Sequence, residues 1–298
     1  MEEEQLILRK IKDLEIQGAR NVAMEGLRAL SIVAKKSSKK GKEQFVGELI
    51  EFANAVAELR PTEPMLRNVL RNALERAKRS ANVERAKVVV SSYYEEVKKG
   101  MARSKELIAQ YGASLIEEDY RVLTHCHSST VTSIFKEAYR QGKNFRVVAT
   151  ETRPKFQGRI TAKELTAEGI HTTLVVDNAA HLYLRKADLV LVGADAINSA
   201  GSLVNKIGTY PIALIAERFE VPFYSAAELL KFDPITKYGK QEDIERRDKK
   251  EVWEEKGIKI DNPAFDLTPS RYISAYITQA GLIPPQLFMS YAKREVLL

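Results

Sequence analysis

The sequence predicts an α/β protein in which an N-terminal helical domain precedes a Rossmann-like parallel-sheet domain. Three observations predict it. Up to about residue 111, apolar residues recur at three- and four-residue spacings and nothing alternates as a strand would. Beyond residue 119, short apolar runs are separated by helical stretches, the pattern of a parallel sheet covered on both faces. A hydrophobic content of 44% over 298 residues supplies a core for both parts.

In the first part, taken as residues 1–112, Leu6, Ile7, Ile11 and Leu14 form one helical stripe, and Val22, Met24, Leu27, Leu30, Ile32 and Val33 the next. Breaks are expected at Gly18, at residues 37–41, and at Arg60, Pro61 and Thr62, with Thr62 as the N-cap of a helix reading "EPMLRNVLRNAL". Residues 81–111 read as the last helix and the connector to residues 113–298. There the expected strands are "YRVLTHC", "FRVVATE", "HTTLVVD", "ADLVLVGAD", "VPFYSAA" and "GIKID".

Ligands of such sheets collect beyond the carboxyl ends of the strands, where loops and helix N-termini offer unpaired N–H groups. By that rule Cys126, Ser128, Ser129 and Thr130 follow the first strand, and Glu151, Arg153 and Gln157 the second. Asp177 follows the third, Asp195 the fourth, and residues 228–231 the fifth.

Several function classes lose support. The acidic, amphipathic start lacks the features of a signal peptide, and no run reaches about 18 apolar residues, so a soluble cytoplasmic protein is expected. A single cysteine forms no internal disulfide. His125 and His127 flank Cys126, yet neighbours on a strand point to opposite faces, which is poor geometry for a metal. The net charge of +7 spreads 47 basic among 40 acidic residues, and the one compact basic run, "KKSSKKGK" at residues 35–42, has no aromatic residues for stacking on bases. A solvated loop accounts for it. Neither GxGxxG nor GxxxxGK[ST] follows a strand, so ordinary dinucleotide and P-loop nucleotide sites find no support.

"THCHSST" runs from strand to helix, which places Ser128, Ser129 and Thr130 in a first helical turn suited to an oxyanion. Simple N-capping needs only one of them. Asp195 ends the apolar run "LVLVGAD"; it reads as a carboxyl whose pKa is raised by partial desolvation, and equally as a helix cap or salt-bridge partner. "VNKIGT" then brings Asn205 and Lys206 to the mouth of another helix, although Lys206 alone also reads as a surface lysine. Cys126 by itself reads first as a buried structural thiol. Its company changes that: a thiol and an acid facing each other across a phosphate-lined pocket suit proton transfer on a sugar phosphate. His125 is expected in the packing around the strand and His127 in ordering the loop.

These residues resemble the group of initiation factor 2B-like proteins and sugar-phosphate isomerases over nearly the whole chain. The carriers are "GAR" at Gly18, "RPT" at Arg60, "THCHS" at Thr124, "ETRPKFQGRITAKEL" at Glu151, "GADAINSAGSLVNKIGT" at Gly193, "ELLKFDP" at Glu228 and "NPAFDLTP" at Asn262. Three branches differ in chemistry. Regulatory subunits of the translation factor usually lack the Cys and Asp pair, and methylthioribose-1-phosphate isomerases hold it in a "THCN" context. The archaeal ribose-1,5-bisphosphate isomerases are most similar, sharing "THCHS", the "KF-P" segment at Lys231 and the "GLIPP" ending at Gly281.

The resemblance implies conversion of ribose 1,5-bisphosphate to ribulose 1,5-bisphosphate, within nucleoside monophosphate breakdown that feeds a Rubisco. It implies Cys126 as base at C2, Asp195 as acid at the ring oxygen, and a phosphorylated enolate between them. Substrate contacts carried over are Gln17, Gly18, Ala19, Arg20, Arg60, Ser128, Ser129, Thr130, Asn205, Lys206 and Lys231, with Gln157 from the methylthioribose branch. No metal or nicotinamide cofactor is implied, nor a nucleic-acid or membrane partner, and the expected assembly is a homodimer through the α/β domains or a hexamer of three dimers. In one departure the family's Arg-Gly-Ala reads Gln17-Gly18-Ala19, with Arg20 as the neighbouring cation that could substitute.

Overall fold

In the computed structural model, which describes residues 2–238 and 244–296, the apolar stripes of the first hundred residues close on one another. Helices α1 (Glu3–Lys12), α2 (Ala19–Lys36), α3 (Lys42–Glu58) and α4 (Pro64–Arg79) bury Ile11, Leu27, Leu30, Leu49, Leu66 and Val69 in a common core. Gly26 permits the close approach of α2 to α4, since a Cβ there would collide with Leu66 Cδ1. The cap of α4 is a correction: its N-cap is Glu63, not Thr62, and Pro64 takes the first helical position. Proline's fixed φ suits that position, and the Glu63 carboxylate makes no capping bond but binds Arg60.

Asn82 caps α5 (Val83–Ala113), its side chain accepting from the Arg85 N–H at 2.9 Å. The first two-thirds of α5, through Val90, Val97 and Met101, belongs to the helical core. Its last turns, with Ile108 and Ala113, pack among Ile134, Phe135 and Val147 of the sheet region. One uninterrupted helix therefore belongs to both cores.

The remaining chain forms β1 (Arg121–Thr124), α6 (Ser129–Arg140), β2 (Arg146–Thr150), α7 (Gln157–Ala167), β3 (His171–Val175), α8 (Ala180–Leu184), β4 (Leu189–Val192), β5 (Ala196–Ile197) and β6 (Leu203–Lys206). It continues with α9 (Thr209–Arg218), β7 (Phe223–Ala226), β8 (Phe265–Thr268), β9 (Ala275–Thr278), β10 (Gly281–Ile283) and α10 (Phe288–Val296). Seven strands order as β10-β9-β7-β4-β1-β2-β3, parallel throughout except for β10. The α/β class with a mostly parallel sheet is thus what the alternating apolar runs describe. β5, β6 and β8 make a small antiparallel sheet that the runs did not reveal. "GIKID", expected as a strand, is irregular, with Ile258 48% exposed; the next strands of the fold are β8, β9 and β10. No helix of the described residues is long and apolar enough to cross a membrane.

The winding reverses between β1 and β4. From β1 the chain builds outward to β2 and β3, and from β4 it builds the other way to β7 and β9. Loops leaving the carboxyl ends of these two central strands diverge and leave a crevice.

Candidate active site

The loop after β1 is pinned before it reaches Cys126. His125 is 3% exposed, with Nδ1 2.5 Å from Thr150 Oγ1 and Nε2 2.8 Å from the Ile207 carbonyl, so one imidazole ties β1 to β2 and to the turn after β6. Burial pushes its pKa down, which favours the neutral ring. Cys126 then adopts φ 69°, a left-handed conformation that costs a non-glycine residue about 1–3 kcal/mol and persists where surroundings enforce it. They do so here: the Cys126 N–H donates to Thr152 Oγ1 at 2.9 Å, and its carbonyl accepts from the Thr161 hydroxyl at 2.9 Å. Thr152 is held in turn by Asp177, whose two carboxylate oxygens accept the N–H groups of Thr152 and Arg153, each at 2.7 Å. Asp177 is a supporting residue of this loop.

His127 points elsewhere, with Nδ1 3.1 Å from Thr161 Oγ1 and Nε2 3.9 Å from Glu164. Among the described residues no three His, Cys, Asp or Glu side chains converge as metal ligands would.

Ser128 is the N-cap of α6, its Oγ accepting from the Val131 N–H at 3.4 Å. Ser129 opens the helix and is exposed, whereas Thr130 is buried. The end of β4 presses against this cap at Gly193, where a Cβ would lie 2.8 Å from Ser128 Cβ and 2.9 Å from its Oγ. Any larger residue at 193 would push the two central loops apart.

Asp195 follows two residues later, with its N–H on the Val204 carbonyl at 2.9 Å. Burial raises its pKa above the ordinary carboxylate value, opposed by the positive charges of Lys231, Lys206, Arg60 and Arg247. Burial also pushes the Cys126 thiol up to about 11, against the pull of Lys206 and with the help of Asp195. The pocket thus favours the neutral forms of both groups.

Asn205 and Lys206 end β6. Asn205 Nδ2 donates to Thr209 Oγ1 at 3.0 Å; Lys206 is 5% exposed, with Nζ 4.9 Å from the Phe265 ring centre, and burial lowers its pKa. Asp266 accepts the Gly208 N–H at 2.8 Å, so the N-terminus of α9 already holds a carboxylate. Among the described residues no carboxylate accepts from the first turn of α6, where the Ser128 hydroxyl is the cap. Gln157 begins α7 with its Oε1 buried and lacking a hydrogen-bond partner.

All the residues singled out as catalytic or substrate-binding line one cavity of about 380 Å³. Gln17, Gly18, Ala19, Arg20 and Arg60 come from the helical side; Cys126, Ser128, Ser129, Thr130, Gln157, Asp195, Asn205, Lys206 and Lys231 come from the sheet side. Their charges are not equally available. Lys231 Nζ donates to the Ala194 carbonyl at 2.5 Å and lies 3.6 Å from Glu228. Arg20 spends one nitrogen on Glu228 at 2.7 Å and another on the Met101 carbonyl at 2.9 Å. Two cations share one carboxylate.

Arg247 and Glu63 are among the cavity residues that the sequence alone does not single out. Arg247 lies in the charged run "ERRDKK", and Glu63 stands in the segment expected to start a helix. Glu63 is 1% exposed, is pushed up to about 7 by burial, and binds Arg60 at 2.9 Å.

Gln17 is exposed and bonds Leu14 O through Nε2 at 2.7 Å. Gln17→Arg is expected to leave the affinity for inorganic phosphate equal or to raise it by up to about tenfold, read by calorimetry. A large loss would show the glutamine to be an adaptation.

A family model described as the Initiation factor 2 subunit family matches residues 15–285. The ribose 1,5-bisphosphate isomerase of Methanocaldococcus jannaschii is 44% identical over 281 residues, covering 93% of this chain and 90% of that protein. The methylthioribose-1-phosphate isomerase of Acetivibrio thermocellus is 35% identical over 295 residues, covering 92% and 86% respectively. Among solved structures, the translation initiation factor eIF-2B of Pyrococcus horikoshii superposes with a TM-score of 0.85 at 31% identity, covering 96% of this chain and 98% of that one.

Proposed function

The chain belongs to the Initiation factor 2 subunit family, and from that premise we propose that it is a sugar-phosphate isomerase converting ribose 1,5-bisphosphate to ribulose 1,5-bisphosphate. The observation that carries this reading is the pairing of Cys126 with Asp195 in one cavity, at the carboxyl ends of the two strands where the winding reverses.

In this reading one phosphate rests on the α6 N-terminus at Ser128, Ser129 and Thr130. Cys126, as thiolate, takes the C2 proton. The C–H electron pair forms the C1–C2 double bond, and the C1 bond to the ring oxygen breaks as Asp195 protonates that oxygen. The C1 phosphate prevents opening to a free aldehyde, so the product of this step is a phosphorylated enol. Loss of the 2-hydroxyl proton and return of a proton from Cys126 to C1 give the ketose. The proton at C2 is weakly acidic, so a strong, well-placed base is appropriate. The wider role is a step of nucleoside monophosphate breakdown whose product a Rubisco consumes.

A regulatory role is the second reading, favoured by the likeness to the translation initiation factor eIF-2B of Pyrococcus horikoshii. A binding module has no need for a thiol and an acid together. A third reading replaces one phosphate by a methylthio group. Purified protein given both sugars side by side is expected to turn over ribose 1,5-bisphosphate in preference, seen as formation of a Rubisco substrate. Preference for the methylthio sugar overturns the choice of substrate, and turnover of neither returns the regulatory reading.

The homodimer through α/β domains, or a hexamer of such dimers, belongs to the same proposal. Leu174 on the edge strand β3 and Val176 just after it are 43% and 58% exposed, and Leu182 of α8 is 59% exposed. That apolar edge suits a second copy of the chain. Sedimentation at equilibrium reads the assembly.

A further inference from the structure

We propose that Arg247 is a direct ligand of the sugar bisphosphate and forms with Arg60 the subsite for its second phosphate, an inference that rests on the isomerase reading above. It starts from an accounting of donors. Gln17 is neutral and bonded to Leu14 O, Arg20 is engaged by Glu228 and Met101 O, and Lys231 by Ala194 O. Arg20 and Lys231 are therefore largely committed within the protein, and Lys206 lies over the Phe265 ring on the sheet side of the cavity.

Arg60 and Arg247 each have a carboxylate neighbour but keep open donors. Arg60 is 3% exposed; its Nη2 binds Glu63 at 2.9 Å, while its Nε and Nη1 are buried without a hydrogen-bond partner. The Arg247 side chain is 7% exposed; its Nε binds Glu245 at 3.1 Å, while its Nη1 is likewise buried without a partner. Both residues line the cavity that holds Cys126 and Asp195. Buried donors on charged groups are costly to leave unmet, and two guanidinium forks with open nitrogens match the several acceptor oxygens of a phosphate.

The arrangement is held rather than loose. Glu245 lies between the two guanidiniums, with Oε1 on Arg247 Nε and Oε2 3.7 Å from Arg60 Nε. The backbone on either side is laced to the segment leading into β8. Ala264 N–H donates to the Glu245 carbonyl and Arg247 N–H to the Asn262 carbonyl, both at 2.9 Å. β8 pairs with β6, the strand that delivers Lys206 to the same cavity. Arg247 is thus presented by a sheet extension and not by a free loop. Burial also pushes Glu63 up to about 7, which leaves the Arg60 side of the cluster incompletely neutralised.

The test is calorimetric titration of the full chain with ribulose 1,5-bisphosphate, ribulose 1-phosphate and ribulose 5-phosphate, for wild type, Arg247→Met and Arg247→Lys. Arg247→Met is expected to lose about 30-fold in affinity for the bisphosphate and for one of the monophosphates, with less than about threefold change for the other. In turnover, KM rises more than kcat falls. Arg247→Lys recovers part of the loss on the same two ligands, and it carries the test alone if the methionine variant shows no folded thermal transition. Unchanged bisphosphate affinity, or equal losses on all three ligands, overturns the subsite. A wild type that binds the bisphosphate through Arg247 without isomerising ribose 1,5-bisphosphate would instead retain the subsite and remove the isomerase reading.

Discussion

Cys126→Ala is expected to lower kcat by about 1000-fold or more, the scale of a lost general base, with the thermal transition at pH 7 within a few degrees of wild type. Ser at the same position is nearly isosteric but far less acidic, so it supplies almost no anionic base, and it is expected to do little better. The pH dependence carries more information than the loss. The thiol sits at about 11 because burial disfavours its charge, so the thiolate is scarce at neutral pH but strong when formed. As the proposed acid, Asp195 would act in its protonated form, and its raised pKa lies on the side that favours this. Once Asp195 ionises while Cys126 is still a thiol, the pair holds one proton in total, and the active arrangement differs only in which group holds it. The expected profile of kcat/KM therefore rises up to the apparent pKa of Asp195, stays level, and falls only as pH passes about 11. Stability has the same sign. The buried thiol costs nothing below about 9, and stability is lost as pH rises through about 11 in the wild type but less so in Cys126→Ala. Near-normal turnover in either variant would remove Cys126 from the role of base.

Asp195→Asn is expected to cost about 100-fold to 10,000-fold in kcat at pH 7, since an amide supplies no proton to the ring oxygen. The level region of the profile should vanish with it. Without a second titrating group, residual kcat/KM is expected to climb about tenfold per pH unit as thiolate accumulates, until the thiol itself has titrated. A flat residual profile, or full activity, would take the acid role away from Asp195. Thermal melting separates these results from misfolding: the raised pKa shows that the site disfavours the charged carboxylate, so a neutral amide of nearly the same shape is tolerated.

What the sequence shows directly is what local pattern encodes. Apolar runs ending at Thr124 and Val192 place Cys126 and Asp195 just past two strands, and the hydroxyls at Ser128, Ser129 and Thr130 announce a helix start. The order of strands is not local, so nothing in either run says that β1 and β4 are neighbours, which is the fact that unites the pair. The left-handed turn at Cys126 is equally hidden, because the forces that impose it come from Thr152 and Thr161. Arg247 was invisible for the opposite reason. Its surroundings in sequence are charged, and only the pairing of its backbone with Asn262 carries it inward. Thr62 is not the cap because Pro64, with its fixed φ, takes the first helical position and so makes Glu63 the N-cap. The expected division at residues 112 and 113 falls at the end of α5, which runs to Ala113 and contributes to both cores.

That last helix has a mechanical meaning. At about 1.5 Å per residue, the 31 residues of α5 make a rod of about 46 Å. One end is clamped in the layer that carries Arg20 and Arg60, the other in the layer that carries Cys126 and Asp195. Such a splint has no loop at which to hinge, so a change in the spacing of the two walls requires the rod to bend or its packing at one end to shift. The breadth of the gap between Arg60 and Cys126 is therefore set by how the two ends of a single helix are packed.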